Sequence, residues 1–244
     1  MGIVKKLLKA IFGFFLFSSL ITFATLYSVK GLSEYENIKK IAYPVFFSQL
    51  NLTEDKKSIL LFYLSYMCEG KDLTKMELGT ENITINCSKV RGLSKDNLEQ
   101  FLFDAYIDNI YYKRYECDLV ECIKQQNFMY FISVGFHEEI QRYLTYLAVS
   151  SLVFGIILLI ILRRPQEILV NFSTIFILVG ANYIFIELLL ESPLISKTPS
   201  ILSAINIIKS NLVVFMYFLI AGLALLSIYF VVKIKDFYFK KRKK

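Results

Sequence analysis

The sequence predicts an all-α membrane protein, with four transmembrane helices and a mainly helical, disulfide-stapled extracytoplasmic domain between the first and second spans. Three observations point there. Four uncharged runs of about 20 residues, at 10–29, 143–162, 168–186 and 210–232, are each long enough to cross a bilayer. Basic residues gather at those ends of the runs that one topology places on a single side. All four cysteines fall in the long segment between the first and second runs.

Composition agrees with a bilayer environment. The chain is 55% hydrophobic, with a mean hydropathy of +0.50, above the roughly 45–50% apolar content of an ordinary soluble domain. There is no Trp among 16 Tyr and 22 Phe, so aromatic anchoring at the interface falls to residues such as Tyr27, Tyr143, Tyr146 and Tyr238. The net charge of +7 is unevenly spread. Residues 30–142 hold 14 basic and 17 acidic side chains, and the remainder holds 14 basic against 4 acidic. The positive excess sits beside the spans, where orientation and anionic lipid account for it, and no nucleic-acid partner is implied.

Orientation follows from those clusters. Lys5, Lys6 and Lys9 precede the first run, Arg163 and Arg164 separate the second from the third, and Lys233, Lys235, Lys240, Lys241, Arg242, Lys243 and Lys244 follow the fourth. Both termini in the cytoplasm of a cell-membrane protein satisfies all three. The expected organisation is a cytoplasmic start and first span over 1–29 and an extracytoplasmic domain over 30–142. A second span follows over 143–162, then a short cytoplasmic turn and third span over 163–190. An outer loop over 191–209 leads to a fourth span and basic tail over 210–244. A cleaved signal peptide is the rival for the first run. Its apolar part is long for one, and Tyr27-Ser28-Val29-Lys30 is no small-residue cleavage site.

Within the outer domain, Ser33 and Glu36 form a capping-box spacing that starts a helix, which Pro44 is expected to end or kink. Thr53, Glu54 and Asp55 cap a second helix running to about Cys68 and Gly70. It is apolar nearly all round, so it is expected at the centre of its domain. Ile83, Ile85 and Cys87 alternate with polar residues, a short strand signal. Ser94 caps a third helix, with Leu98, Phe101, Leu102, Ala105 and Tyr106 at helical spacing. Residues 128–136 are read as a helix that leads into the second span.

Cys68, Cys87, Cys117 and Cys122 form an even set outside the membrane, which reads as two disulfides. Three pairings are open, and the pairing 68–87 with 117–122 is favoured because each bridge closes a local loop. No C-x-x-C is present, which argues against both a zinc site and a redox-active pair, and no metal or cofactor is expected. Glycosylation sequons begin at Asn51, Asn82 and Asn86.

Polar residues near or inside the spans are Asn182, Glu187, Glu191 and Lys209. Glu187 lies at about the outer boundary, counting ~1.5 Å per residue from Gln166, so both acids are read as headgroup residues. Asn182 is deeper, and is expected to bond a neighbouring helix. Gly155, Gly180-Ala181 and Gly222-Leu223-Ala224 offer small surfaces for close helix contact. His137 is the sole histidine and has no second ligand at Gln141 and no nucleophile motif, so it is read as a surface or interface residue. The tail from Lys240 to Lys244 is expected to hold anionic lipid.

A large outer loop after the first of four spans is similar to the layout of claudin-type junction proteins. Their Trp-containing motif is missing, and no family is assigned. The functional expectation is a non-enzymatic membrane protein presenting an extracytoplasmic interaction domain, as a subunit or scaffold of a membrane complex. Its partners would be the bilayer, other membrane or surface proteins, and a second copy of itself. The alternatives are a transport or channel subunit using the polar residues of the third and fourth spans, and a membrane thiol oxidoreductase using Cys117 and Cys122.

Overall fold

A computed structural model describes residues 3–50, 52–78, 81–125, 128–162, 164–190 and 199–242. Asn51, Arg163, Glu191, Lys197, Lys243 and Lys244 lie outside the described residues. The protein is mostly helical, and four helical segments are long and apolar enough to cross a membrane: Ile3–Ser33, Val134–Ile161, Pro165–Leu190 and Ala204–Lys235. The chain divides into two compact units. One comprises Met1–Leu32, Glu139–Lys197 and Ile205–Lys244, and the other Ser33–Glu138 with Thr198–Ala204.

In chain order the elements begin with α1 (Ile3–Lys30), α2 (Tyr35–Leu50), α3 (Glu54–Met67) and the strands β1 (Leu73–Leu78) and β2 (Glu81–Asn86). The helices α4 (Cys87–Val90), α5 (Lys95–Tyr111), α6 (Leu119–Lys124) and α7 (Val134–Ile161) follow. The chain continues through α8 (Pro165–Leu190), α9 (Pro199–Asn211) and α10 (Val213–Arg242).

The apolar unit is built around α8 and α10. Gly180 lies against the Leu219 backbone, and Gly222 lies against Ile177 and the Ser173 carbonyl. As one number rises the other falls, so the two helices run antiparallel. Leu16 and Ala24 of α1, Leu158 of α7, Ile175 and Val179 of α8 and Phe215 of α10 share one buried cluster. A hydroxyl cluster joins α1 to α7. Ser19 Oγ donates to the Leu147 carbonyl at 3.2 Å and lies 3.1 Å from Ser150 Oγ and 2.5 Å from Ser151 Oγ. Hydroxyls in an apolar medium bond to one another or to carbonyls because no water is at hand. The fourth span is not one uninterrupted helix from Ser210, as the sequence predicts. Its regular pattern breaks at Leu212, whose amide is shared between the Ile208 and Lys209 carbonyls at 2.9 and 3.2 Å.

The second unit departs from an all-α domain by one antiparallel hairpin, with β1 and β2 in the register Leu73↔Asn86 to Leu78↔Glu81. The alternation puts Ile83 and Ile85, both 0% exposed, on the buried face against Leu64, Leu98 and Leu102. Asn82, Thr84 and Asn86 face solvent. Cys68 and Cys87 are bonded, tying the end of α3 to the end of β2, with Cα atoms 5.2 Å apart. Cys117 and Cys122 are bonded around the start of α6, with Cα atoms 5.3 Å apart. Asp118 Oδ1 accepts from the Glu121 amide at 2.9 Å and so caps that helix.

Four further expectations, all within the second unit, need correction. Of the two outcomes expected of Pro44, an end or a kink, the end does not occur: Pro44 sits inside α2. Rings on both sides of it are anchored, since Tyr43, Phe46 and Phe47 all pack on Phe103, and that packing outweighs the missing amide. Thr53 and Ser94 stand at the N-cap positions of α3 and α5 with extended backbones, but neither side chain makes the cap bond. Residues 128–136 are not one helix. A 3-10 turn over Phe128–Ile132 stops at Ser133, whose hydroxyl donates to the Tyr130 carbonyl at 2.7 Å and accepts the Phe136 amide at 3.3 Å, starting α7 anew. The fourth correction is α3, which lies at the edge of its unit instead of its centre. Only Leu64 is fully buried, while Ile59, Phe62, Tyr63 and Tyr66 are 69, 76, 50 and 69% exposed. A single hairpin and helix cover one side of an all-round apolar helix and leave the other side bare.

Candidate interaction surface

The bare side of α3 is a regular stripe. Ile59, Phe62, Tyr63 and Tyr66 are spaced by three and four residues, which places them on one face. Beside it lies an open cleft of about 590 Å³ lined by Phe62, Tyr66, Cys68 and Arg91. Aromatic side chains with polar tips, grouped on an exposed face, are the residue types enriched at protein–protein contacts.

A second, polar cleft of about 810 Å³ separates β2 from α5. On the strand side it meets Asn82, Thr84 and Asn86, and on the helix side Phe101, Ala105 and Asn109. Asn109 Nδ2 donates to the Asn82 carbonyl at 3.2 Å and closes one end. The carboxylates on this flank of α5 are already engaged. Lys39 Nζ sits 2.6 Å from Asp104 Oδ1, Gln100 Nε2 donates to the same oxygen at 3.2 Å, and the Tyr35 hydroxyl donates to Asp108 Oδ1.

These pairs tie α2 to α5. Burial, reinforced by the Asp108 hydrogen bond and charge, pushes the Tyr35 phenol up to about 12. Burial alone would pull Lys39 down, but the hydrogen bond and charge of Asp104 outweigh it and raise Lys39 above its ordinary value. Both groups hold their protons more tightly folded than unfolded. Their contribution to stability is therefore complete below about pH 10 and disappears as the pH climbs towards 12, while the unfolded chain loses protons that the native one keeps. Thermal unfolding midpoints measured in detergent should fall across that window. Tyr35→Phe, which has no phenol to titrate, should flatten part of the fall, and an identical slope in the variant would remove Tyr35 as its source.

The remaining sequence-derived candidates are dispersed. Asn82 and Thr84 of the first described sequon are both exposed on β2. Asn86 is also exposed, but its Oδ1 accepts from the Ser88 amide at 3.0 Å and the Ser88 hydroxyl at 2.7 Å, and it caps α4. His137 Nδ1 lies 2.9 Å from Ser33 Oγ, an internal contact of the second unit. Asn182, expected to bond a neighbouring helix, bonds its own among the described residues. Its amide donates to the Leu178 carbonyl of its own helix at 2.8 Å, the nearest acceptor to a short side chain. Glu187 is half-buried near the end of α8, and Lys209 is half-buried in the last turn of α9. Lys240, Lys241 and Arg242 fall in the last turn of α10. Among the described residues, no group of three or more His, Cys, Asp or Glu side chains is placed to hold a metal ion. The α3 stripe escaped the sequence reading because it belongs to a helix with no polar face to contrast with it.

What the structure defines is a class: a polytopic helical membrane protein carrying a compact unit pinned by two cystine bridges. No protein-family model matches the chain, and no curated protein or solved structure is detectably similar to it.

Proposed function

We propose that this is a non-enzymatic integral membrane protein whose unit over residues 33–138 is an extracytoplasmic interaction domain, and that it acts as a subunit or scaffold of a membrane complex. The observation that carries the reading is the α3 stripe, where Ile59, Phe62, Tyr63 and Tyr66 are 50–76% exposed. Compact soluble modules rarely leave such a face uncovered unless something docks there. Placement outside the cytoplasm is supported by the basic residues at the opposite ends of the spans and by the confinement of every cysteine, now in bridges, to this unit. On that side Asn82 is the sequon best presented for a glycan, since Asn86 is already committed to its own turn. The basic tail fits anionic lipid on the cytoplasmic leaflet.

The test is purification from native membranes in mild detergent, with Phe62→Ser/Tyr66→Ser as the comparison. A partner that copurifies with the natural protein and is lost from the double variant supports the proposal. A protein that elutes alone in both forms removes it. Lysine labelling of intact cells should reach Lys71, Lys75 and Lys89, and labelling only after permeabilisation would reverse the assigned sides.

A further inference from the structure

We infer that the unpaired edge of β2 accepts an extended, acidic peptide segment as a third strand, laid in the cleft between β2 and α5. The inference rests on reading this unit as an interaction domain and names the kind of partner that one of its surfaces takes.

The argument starts from the alternation of an antiparallel ladder. Residues whose amide and carbonyl point at the partner strand alternate with residues whose amide and carbonyl point away. The Cys87 amide donates to the Asp72 carbonyl at 2.9 Å, so Cys87, Ile85 and Ile83 address β1. The Asn82 carbonyl accepts from Asn109 of α5, so Asn82, Thr84 and Asn86 address the other side. Those are the three strand residues that line the cleft. Among the described residues β1 and β2 make up the sheet, and this second edge has no strand beside it.

Some of the outward groups are in use. The Asn82 carbonyl holds Asn109, and the Asn86 carbonyl, at the N-cap of α4, serves the first bond of that helix. Among the described residues, that leaves the amides of Asn82, Thr84 and Asn86 as donors and the Thr84 carbonyl as acceptor. An edge of this kind is a template for an added strand, and proteins that do not use one normally cover it. Addition of a strand would extend the sheet beside α5, where alternate side chains of the incoming peptide would meet Phe101 and Ala105.

Charge selects among peptides. Lys39 neutralises Asp104, Asp108 keeps its charge beside the neutral Tyr35 hydroxyl, and two lysines line the cleft, Lys89 at the Asn86 end and Lys113 just after α5, so among the described residues cations outnumber the one carboxylate without a cationic partner there. A donor-rich edge with lysines beside it favours carbonyls and a carboxylate over a basic segment.

The experiment uses the full chain in detergent or nanodiscs and an octapeptide display library. The tightest octapeptide recovered is then synthesised, and its affinity is measured by fluorescence polarisation. It should be acidic. Thr84→Pro should weaken it at least tenfold, because proline removes the central outward donor, while the β1 ladder bonds survive. Thr84→Ala keeps the amide and should stay within twofold. It also abolishes the Asn82 sequon, so any effect of sugar is separated from that of the edge. Lys89→Ala should cost several-fold. If Thr84→Pro proves unstable, amide exchange in the natural protein decides, with Thr84 and Asn86 becoming protected when the octapeptide is added. Recovery of no binder, equal affinity for Thr84→Pro, or unprotected amides at both positions overturns the inference. None of these readouts depends on membrane sidedness or on Phe62 and Tyr66, so the interaction reading can survive the loss of this one.

Discussion

Gly180→Leu is expected to force α8 and α10 apart and lower the stability of the membrane unit by about 3 kcal/mol, the upper part of the usual overpacking range. A Cβ built at Gly180 would stand 2.5 Å from the Leu219 amide nitrogen and 2.6 Å from its Cα. Those are backbone atoms, which cannot rotate away as a side-chain tip can. Gly222 repeats the situation from the other helix, with a Cβ at 2.8 Å from the Ile177 amide nitrogen and 3.0 Å from the Ser173 carbonyl. Between helices in lipid, water expulsion contributes little, so close packing is the main attraction, and a clash at the nearest point removes it directly. Gly13→Leu is the control, since a Cβ there meets nothing within 4 Å. Unfolding midpoints in detergent, read by size-exclusion recovery after heating, should drop for Gly180→Leu and hold for Gly13→Leu. Equal midpoints would mean that the two helices do not approach at these glycines.

The glycines show what a sequence can and cannot express. Gly180 and Gly222 stand out as small residues in apolar runs, but which backbone each one touches is a property of the pairing. The spans themselves are legible because length and uninterrupted apolarity are local quantities. Cystine pairing was accessible for a similar reason, since each bridge closes a short loop. Strand β1 was missed: Leu73-Thr74-Lys75-Met76-Glu77-Leu78 carries leucine on both faces and buries a threonine, so its alternation is weak. The contacts that organise the second unit are non-local. Tyr35 meets Asp108 at a separation of 73 residues, and Ser33 meets His137 at 104. No periodicity encodes such a meeting. Helix α3 is the most instructive case. Continuous apolarity correctly marked a helix, but it hid which side the unit would cover, and that hidden choice created the exposed stripe. The edge of β2 was equally invisible, because the direction of a backbone amide is decided by the register of its partner strand.

Breaking the Cys68–Cys87 bridge with paired serines should cost about 3 kcal/mol, against about 2 kcal/mol for Cys117–Cys122, if stabilisation follows the loop each bridge closes. The separations are 19 and 5 residues, so the first bridge restricts the unfolded chain more. Position sharpens the contrast. Cys87 is 0% exposed and Cys68 is 4% exposed, in the same core as Ile83, Ile85, Leu98 and Leu102. Losing that bridge frees the end of α3 from the end of β2, so the hairpin loses its covalent hold on the helix beside it. The second bridge pins only the start of α6, a single short helix. Trypsin offers a direct reading, because Lys71, Lys75, Lys89 and Arg91 all flank or lie within the larger loop. The Cys68→Ser/Cys87→Ser protein should be cut there under conditions that leave the natural protein whole, while Cys117→Ser/Cys122→Ser should remain nearly as resistant as the natural protein at those four sites. A common rate of cleavage in both variants would show that the hairpin is held by packing alone. The template edge of β2 would then persist in reducing surroundings, and peptide binding would become independent of the redox state of its compartment.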